Sequence, residues 1–439
     1  MSSPKDRPAY DGADDRGPAT MSETDSEAVA LGPVHTFASL RVPNYRLLFL
    51  GSLTSNVGTW MARVAQDWLV LTVLTDNSAT ALGYVTALQF APGVLISPLA
   101  GAVADRFGKR HIMMVTQAGT GLIFAALTAL VASGTVQLWH VYVSAVLAGV
   151  LWGFDAPARQ AFVSEVVPDH LLANAVGLNS ASFNGARLLG PAIAGVMIGW
   201  VGIWPVFAVN TLSFVAVLLG LVLMKPAALH PAPVRRGRGA IREGLRYVRG
   251  RPDLQLILFC VFMLGTFGLN FQITNALMAT QVFGVGPEGY GLLGSVMASG
   301  TLAAALLAAR RGRPRLRLLV GSLAGFAVIT TLLAFAPSYW VYAVLLVPVG
   351  LSSLTVMTAA NTTVQLSTDP AMRGRVMSLY MAIFTGGTPL GAPLIGWVGD
   401  AWGPRWTLLV GAIATGLAAL LAGGHLWNRM GRPRHLDEL

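Results

Sequence analysis

Pro98-Leu99-Ala100-Gly101-Ala102-Val103-Ala104-Asp105-Arg106-Phe107-Gly108-Lys109-Arg110 closes one long apolar run, and another opens at Ile112. The stretch holds two glycines, one acid and three cations. A tight charged turn between two apolar runs belongs at a membrane surface, because charge is expensive inside lipid. Gly101 and Gly108 would let helices and backbone approach closely. Asp105 is placed to cap the following helix, whose N-terminus carries partial positive charge. Arg106, Lys109 and Arg110 mark the cytoplasmic face.

Outward from this turn the chain repeats one theme. Of its 439 residues 54% are hydrophobic and only 11% are charged, whereas soluble domains carry about 25% charged residues. Most of it therefore lies in lipid. Apolar segments long enough to cross a bilayer as helices fall near 46–74, 80–104, 111–132, 138–161, 175–199 and 203–224. Six more fall near 253–282, 289–310, 316–336, 339–362, 374–400 and 404–427. The expected fold is an all-α membrane protein with twelve transmembrane helices in two six-helix bundles, spanning 41–224 and 253–427.

Between the bundles, 225–252 reads as a basic cytosolic linker. Within it, apolar Ile241, Leu245, Tyr247 and Val248 alternate with Arg242, Arg246 and Arg249, as in an amphipathic helix lying on an anionic leaflet. Residues 1–40 are polar and rich in Pro, Gly, Ser, Asp and Glu. They are expected to be a disordered cytosolic tail without the pattern of a secretory signal. Residues 428–439 are the expected C-terminal tail.

Charge alternates between the connections. One side holds Arg41, Arg46, the Arg106–Arg110 turn, Arg159, the Arg235–Arg251 stretch, Arg310–Arg317, Arg373, Arg375 and Arg429–Arg434. The other holds Asp76, Glu288, Asp400 and Arg405 and little else. This asymmetry places both termini in the cytoplasm and requires an even number of spans. The net charge of +10 thus reflects topology, not nucleic-acid binding. A lone cysteine, Cys260, permits no disulfide within the chain. No phosphate loop, metal-ligand cluster or nucleophile elbow appears. Neither an enzyme nor a cofactor is expected, and ATP is not the expected direct energy source.

Several charges lie where lipid would not tolerate them. Asn56, Trp60, Arg63 and Asp67 fall at i, i+4, i+7 and i+11 of the first span, so they share one helical face. That face must line the bundle interior or a water-filled cavity. Arg63 and Asp67, four apart, are placed to pair. Asp67 is the most deeply placed acid, and a carboxylate that alternates between two surroundings suits proton coupling. The fifth span carries Asn184 and Arg187, with Asp67 or Asp155 as the expected partner of Arg187. In the second half Phe267, Asn270 and Thr274, together with Met357 and Asn361, are candidate cavity groups; helix–helix hydrogen bonds account for the asparagines equally well.

The pattern G-x-x-x-D-R-x-G-K-R resembles the loop between the second and third helices of the major facilitator superfamily. A second copy begins at Pro393, with Gly396, Asp400, Gly403 and Arg405 at matching offsets, on the opposite side, as an inverted repeat requires. Gly190, Pro191 and Gly195 resemble the Gly-Pro motif in the fifth helix of superfamily exporters, with Ala194 where a further glycine is common. Asp155-Ala156-Pro157-Ala158-Arg159-Gln160, Arg373-Gly374-Arg375-Val376-Met377-Ser378 and Glu243-Gly244-Leu245-Arg246-Tyr247-Val248 resemble the branch of enterobactin exporters and macrolide efflux proteins. The chain departs from that branch in placing Arg159 at the end of the fourth helix, not midway along it.

The resemblance implies alternating access by a monomer in the cell membrane, with a cavity between the bundles. It implies proton antiport exporting an amphipathic small molecule such as a drug, siderophore or secondary metabolite. Uptake by symport, or a receptor that has lost transport, is the alternative. On this reading Asp67, Arg63 and Arg187 couple protons, and Asn56, Trp60, Asn184 and the second-half groups meet the substrate. Gly101, Asp105, Arg106, Gly108, Lys109, Arg110, Asp155, Arg159, Gly190, Pro191 and Gly195 would form the gates.

Overall fold

The computed structural model describes residues 35–229, 240–310 and 316–430. Among these residues the chain is helical, with no strand. The first bundle comprises α1 (Pro43–Leu69), α2 (Ala79–Arg106), α3 (Lys109–Ala132), α4 (Leu138–Val166), α5 (Asp169–Val201) and α6 (Trp204–Leu223). A short helix, α7 (Ala240–Arg249), precedes the seventh span, which is broken into α8 (Pro252–Met263) and α9 (Phe271–Leu277) by a wide π turn at Leu264–Gly268. The span extends to Val282. Then come α10 (Pro287–Ala309), α11 (Leu316–Ala334), α12 (Tyr339–Ser367), α13 (Arg373–Trp402) and α14 (Pro404–Met430).

Ten of the spans are long and apolar enough to cross a membrane. The remaining two, α1 with 27 residues and α5 with 33, have the length but not the apolar composition. They are the helices that carry Arg63, Asp67 and Arg187, and they pack on each other. A helix with interior charge is tolerable only when that face meets protein or water. The outcome is the all-α arrangement of two six-helix bundles that the sequence implies. Several helices overrun the expected segments, as α4 does to Val166 and α5 from Asp169, because polar residues are tolerated at the membrane–water boundary.

The two bundles meet along α2 with α13 and along α5 with α10. Both crossings are at the charge-poor end, away from the basic turn. At each, glycine brings backbone onto backbone. A side chain at Gly195 would strike the Pro287 carbonyl oxygen, and one at Gly291 the Pro191 carbonyl oxygen. Gly83 faces the Ala392 carbonyl and Gly396 the Ala79 carbonyl in the same way. Such small-residue contacts are the main packing device between helices that lack a hydrophobic driving force. Asp400 adds a polar tie: its carboxylate accepts from the backbone N–H of Ala79 (2.7 Å) and Thr80 (2.9 Å), capping α2 from the other bundle. At the basic end Gly101, Gly108, Gly177, Gly185 and Gly374 have no neighbour against them. The expected close approach at Gly101 and Gly108 is therefore not made, because the bundles stand apart there. The side chain of Asp105, the expected cap of α3, lies outside the described residues.

Two expectations about the connections change. Residues 38–41 of the supposed tail form a helical turn tied to α5, with Ser39 Oγ donating to Asn174 Oδ1 at 2.7 Å; residues 1–34 lie outside the described residues. The linker helix α7 is present, but Gly244 and buried Val248 face protein, not a lipid surface. Gly244 sits on the Arg375 carbonyl, and Glu243 pairs with Arg375 at 2.9 Å, which fixes α7 to the start of α13. The side chains of Ile241 and Arg242 lie outside the described residues, as do residues 230–239, 311–315 and 431–439.

Replacing Gly195 or Gly291 with alanine is expected to destabilise the protein by about 1–3 kcal/mol, the usual range for overpacking. Gly101→Ala should be neutral or slightly stabilising, since the space is open and alanine favours helix by about 1 kcal/mol. Thermal unfolding in detergent, followed by intrinsic fluorescence, separates the two classes.

Candidate transport site

A cavity of about 550 Å³ lies in the first bundle between α1, α4 and α5. Ser52, Asn56, Arg159, Gln160, Asn179, Ser180, Phe183 and Asn184 line it. Its volume suits a drug-sized molecule. These residues belong to the halves of α1, α4 and α5 nearer the basic end, so the cavity faces that end. Asn56 and Asn184 are therefore both on the cavity, Asn56 from the charged face of α1 and Asn184 from α5. Asn56 Nδ2 donates to Ser182 Oγ at 3.3 Å, and Asn184 Nδ2 donates to the Ser180 carbonyl at 2.8 Å.

One turn deeper stands a cationic cluster around Trp60. The Arg63 guanidinium lies 4.9 Å from the centre of the Trp60 ring and 5.7 Å from that of Phe90. Arg187 lies 5.6 Å from the same Trp60 ring. Phe183 meets Trp60 edge-on at 5.8 Å, which links the cluster to the cavity. A cation over an aromatic face gains about 0.5–2 kcal/mol, less than a carboxylate partner would supply. Gly190 makes the arrangement possible, since any side chain there would strike Trp60 Cβ at 2.6 Å. Pro191 has no N–H to offer the Arg187 carbonyl, so the helix is loosened where Arg187 must turn inward.

The expected ion pairs do not form. Among the described residues, Arg63 and Asp67 make no salt bridge, and Arg63 Nε is buried without a hydrogen-bond partner. Asp67 instead accepts a 2.7 Å hydrogen bond from the hydroxyl of Tyr290 on α10, in the other bundle. Arg187 pairs with neither Asp67 nor Asp155. The Asp155 carboxylate is occupied by Thr116 Oγ1 (2.7 Å), Gln117 Nε2 (2.9 Å) and Arg159 Nε (2.9 Å). Arg159 also donates to Ser52 Oγ at 3.1 Å, at the cavity wall. Asp155 and Arg159 thus brace α4 against α3 and α1; they do not reach across to the second bundle.

The basic turn serves packing within the first bundle. Lys109 pairs with Glu165, tying the start of α3 to the end of α4. Arg110 donates to the Leu221 and Val222 carbonyls at the end of α6, where cations suit the helix C-terminus. Arg106 is exposed.

The second-half candidates are only partly placed as expected. Phe267, Asn270 and Thr274 do not line the large cavity. With Thr330 and Thr407 they surround a space of about 10 Å³ between α9, α11 and α14, no larger than one water needs. Asn270 Nδ2 donates to the Thr266 carbonyl at 2.7 Å. Its face turns inward to its own bundle, which spacing along one helix does not reveal. Asn361 accepts from Gln365 Nε2 at 2.6 Å, and Met357 is half-buried beside Tyr380. Sequence reasoning missed Tyr290, Phe183 and Phe90. The available signal for Tyr290 was a lone hydroxyl in the first turn of an apolar helix, three residues after Pro287.

The transmembrane secretion effector family model matches residues 34–430, nearly the whole described chain. The chain belongs to this family of major facilitator transporters. The staphyloferrin A transporter of Staphylococcus aureus is 26% identical over 376 residues, covering 84% of this chain and 93% of that protein. The multidrug efflux pump Tap of Mycobacterium tuberculosis is 28% identical over 417 residues, covering 87% and 94%. Among solved structures, an inward-facing, unoccupied bacterial homolog of the human lysosomal transporter Spinster aligns with a TM-score of 0.72 at 14% identity, covering 92% of this chain and all of that one. A D-xylose–proton symporter aligns at 0.66 and 14%, covering 87% and 96%. At such identities these two structures share the fold alone. This family member is a transporter, not an enzyme.

Asp155→Asn would leave the Arg159 guanidinium without its carboxylate and set an amide N–H₂ against Thr116 and Gln117. The expected loss is about 1–3 kcal/mol, read as a lower thermal midpoint. Ser52→Ala removes one peripheral bond and should cost roughly 1 kcal/mol or less.

Proposed function

We propose that this protein exports a small, oxygen-rich amphipathic molecule from the cytoplasm in exchange for protons, as a monomer in the cell membrane. The observation that carries the reading is Asp67, a carboxylate only 5% exposed and held by the opposite bundle. A buried ionisable group in a membrane span is a functional group by default, and this one bridges the two bodies whose relative motion constitutes alternating access. The arginine excess at one end supports a cytoplasmic face there, with both termini on that side. The cavity faces that end, so the described state is open to the inside and ready to load.

Cargo chemistry follows from what the cavity offers. Arg63 and Arg187 are donors only, and Arg63 Nε has no acceptor. Carbonyl, carboxylate or catecholate oxygens would satisfy them. Trp60 and Phe183 offer flat apolar faces for the cargo body. A lipophilic cation would meet two guanidiniums at the same depth and be repelled. The names of two relatives, a staphyloferrin A transporter and a multidrug efflux pump, support a small-molecule cargo, and the second supports outward movement.

Everted vesicles with an acid interior test this. Adding oxygen-rich amphiphiles without a cationic amine, such as carboxylate or catecholate siderophores, should collapse the pH gradient with wild-type protein and not with Asp67→Asn. Arg63→Gln or Arg187→Gln should raise the half-saturating concentration about tenfold or more, the worth of one charge-assisted hydrogen bond. Equal collapse by Asp67→Asn would remove Asp67 from the coupling. A preference for lipophilic cations would overturn the cargo assignment.

A further inference from the structure

The hydrogen bonds that join the bundles gather at the charge-poor end. Tyr290 donates to Asp67, Gln281 Nε2 donates to the Asn77 carbonyl at 3.0 Å, and Asp400 caps α2. The Ala192 N–H donates to Ser295 Oγ at 3.1 Å beside the α5–α10 crossing. Of these ties, the one between Asp67 and Tyr290 joins the proposed proton carrier to the far bundle. Both residues are buried, and Tyr290 is only 4% exposed. Tyr290 stacks on Trp68 at 6.2 Å, which holds its ring in line with the carboxylate.

The charged groups around the pair are few. Arg63 is one turn away on α1, and Arg187 comes from α5 on the far side of Trp60. Glu288 lies two residues before Tyr290 on α10 and faces Gly199 of α5. Asp400 of α13 is taken up by the start of α2. The parts of α2 and α9 nearest the pair contribute no charge. Nothing else among the described residues competes with Tyr290 for Asp67 Oδ2.

We propose that Tyr290 is the residue through which the second bundle reads the proton on Asp67. An ionised Asp67 accepts the Tyr290 O–H as a charge-assisted bond, about twice as strong as its neutral counterpart, and the outer end stays shut. A proton on Asp67 removes the charge, weakens the tie and releases α10 from α1, so the protonated carrier can pass between the two states while the empty, ionised carrier stays shut, as exchange without leak requires. Proton occupancy thereby becomes a difference between two states of the bundles, the condition for any ligand to shift such an equilibrium. Tyr290 acts through Asp67 and is a positioning residue. The inference rests on the reading of Asp67 as proton carrier.

The test measures the outer end directly. In a Cys260→Ala background, Asp76→Cys and Pro337→Cys place spin labels on exposed loops of the two bundles at that end, in lipid nanodiscs. Double electron–electron resonance then reports closed and open populations from alkaline to acidic buffer. Wild type should shift toward the longer distance in acid, with the open-to-closed ratio changing about tenfold or more, as loss of one charge-assisted bond implies. Tyr290→Phe keeps the ring and its stacking, and should respond less than about twofold on the same scale. Asp67→Asn should be open at every pH. Gln281→Ala removes a neighbouring tie that bears no proton. It should shift the ratio equally at all pH values and leave the response intact.

A wild-type response surviving in Tyr290→Phe would overturn the proposal, as would a wild-type outer end indifferent to acid. The vesicle assay keeps the two readings apart. If Asp67→Asn still couples protons there, the carrier assignment fails, and this inference with it. If Asp67→Asn abolishes coupling while Tyr290→Phe retains the full pH response, Asp67 stands and the role of Tyr290 falls.

Discussion

Backbone lying against backbone at the outer ends of the bundles is the constraint on which the other features rest. Gly195 and Gly291 let α5 and α10 touch, and Gly83 and Gly396 do the same for α2 and α13. With those crossings closed, the helices diverge toward the basic end, where Gly101, Gly177 and Gly374 meet nothing. The cavity opens at that same end but lies within the first bundle, between α1, α4 and α5, and not between the bundles as the resemblance implied. Asp67 is buried at the closed end, where Tyr290 of α10 reaches its carboxylate. Side chains larger than hydrogen at the crossings would hold the bundles apart and let water reach the carboxylate.

Inside the first bundle, two arginines and one acid share a region that lipid cannot solvate. The protein does not neutralise them pairwise. Asp67 is given to a tyrosine, and the arginines are given to the face of Trp60. Buried charges paired to one another are often little better than a packed apolar substitute, and a closed pair has nothing left to offer a ligand. Splitting the pair leaves donors unsatisfied beside a cavity and an acid tied to the moving partner. The electrostatic imbalance is localised beside the cavity and at the contact between the bundles.

Much of this was legible in the sequence. Segment lengths and the one-sided arginines specify the number of helices, because lipid permits few alternatives. The four-residue rhythm of Asn56, Trp60, Arg63 and Asp67 places them on one face, and Asn56 does reach the cavity. What was not legible concerns partners distant in sequence. Tyr290 is 223 residues from Asp67 and carries no charge to betray it. Arg187 looked in need of an acid and found an indole. Asn270 and Thr274 share a face whose direction depends on how the broken seventh span is rotated, and it faces α11 and α14. Periodicity says which residues travel together; the packing of neighbours says where they go.

The cap that Asp400 places on α2, and the acceptor that Ser295 offers the Ala192 N–H, have a consequence for the outward transition. Each is a backbone donor satisfied by the opposite bundle, so parting the bundles strips it of its acceptor. A bare amide group is not tolerated away from water; Asp400 is exposed, so water already reaches the α2 cap, and the demand falls on the Ala192 N–H. Opening must therefore draw solvent into the gap, in step with separation of the helices. The transition is a wetting event with a definite uptake of water. Its equilibrium should respond to osmotic pressure and to excluded osmolytes, which favour the state with less hydrated surface.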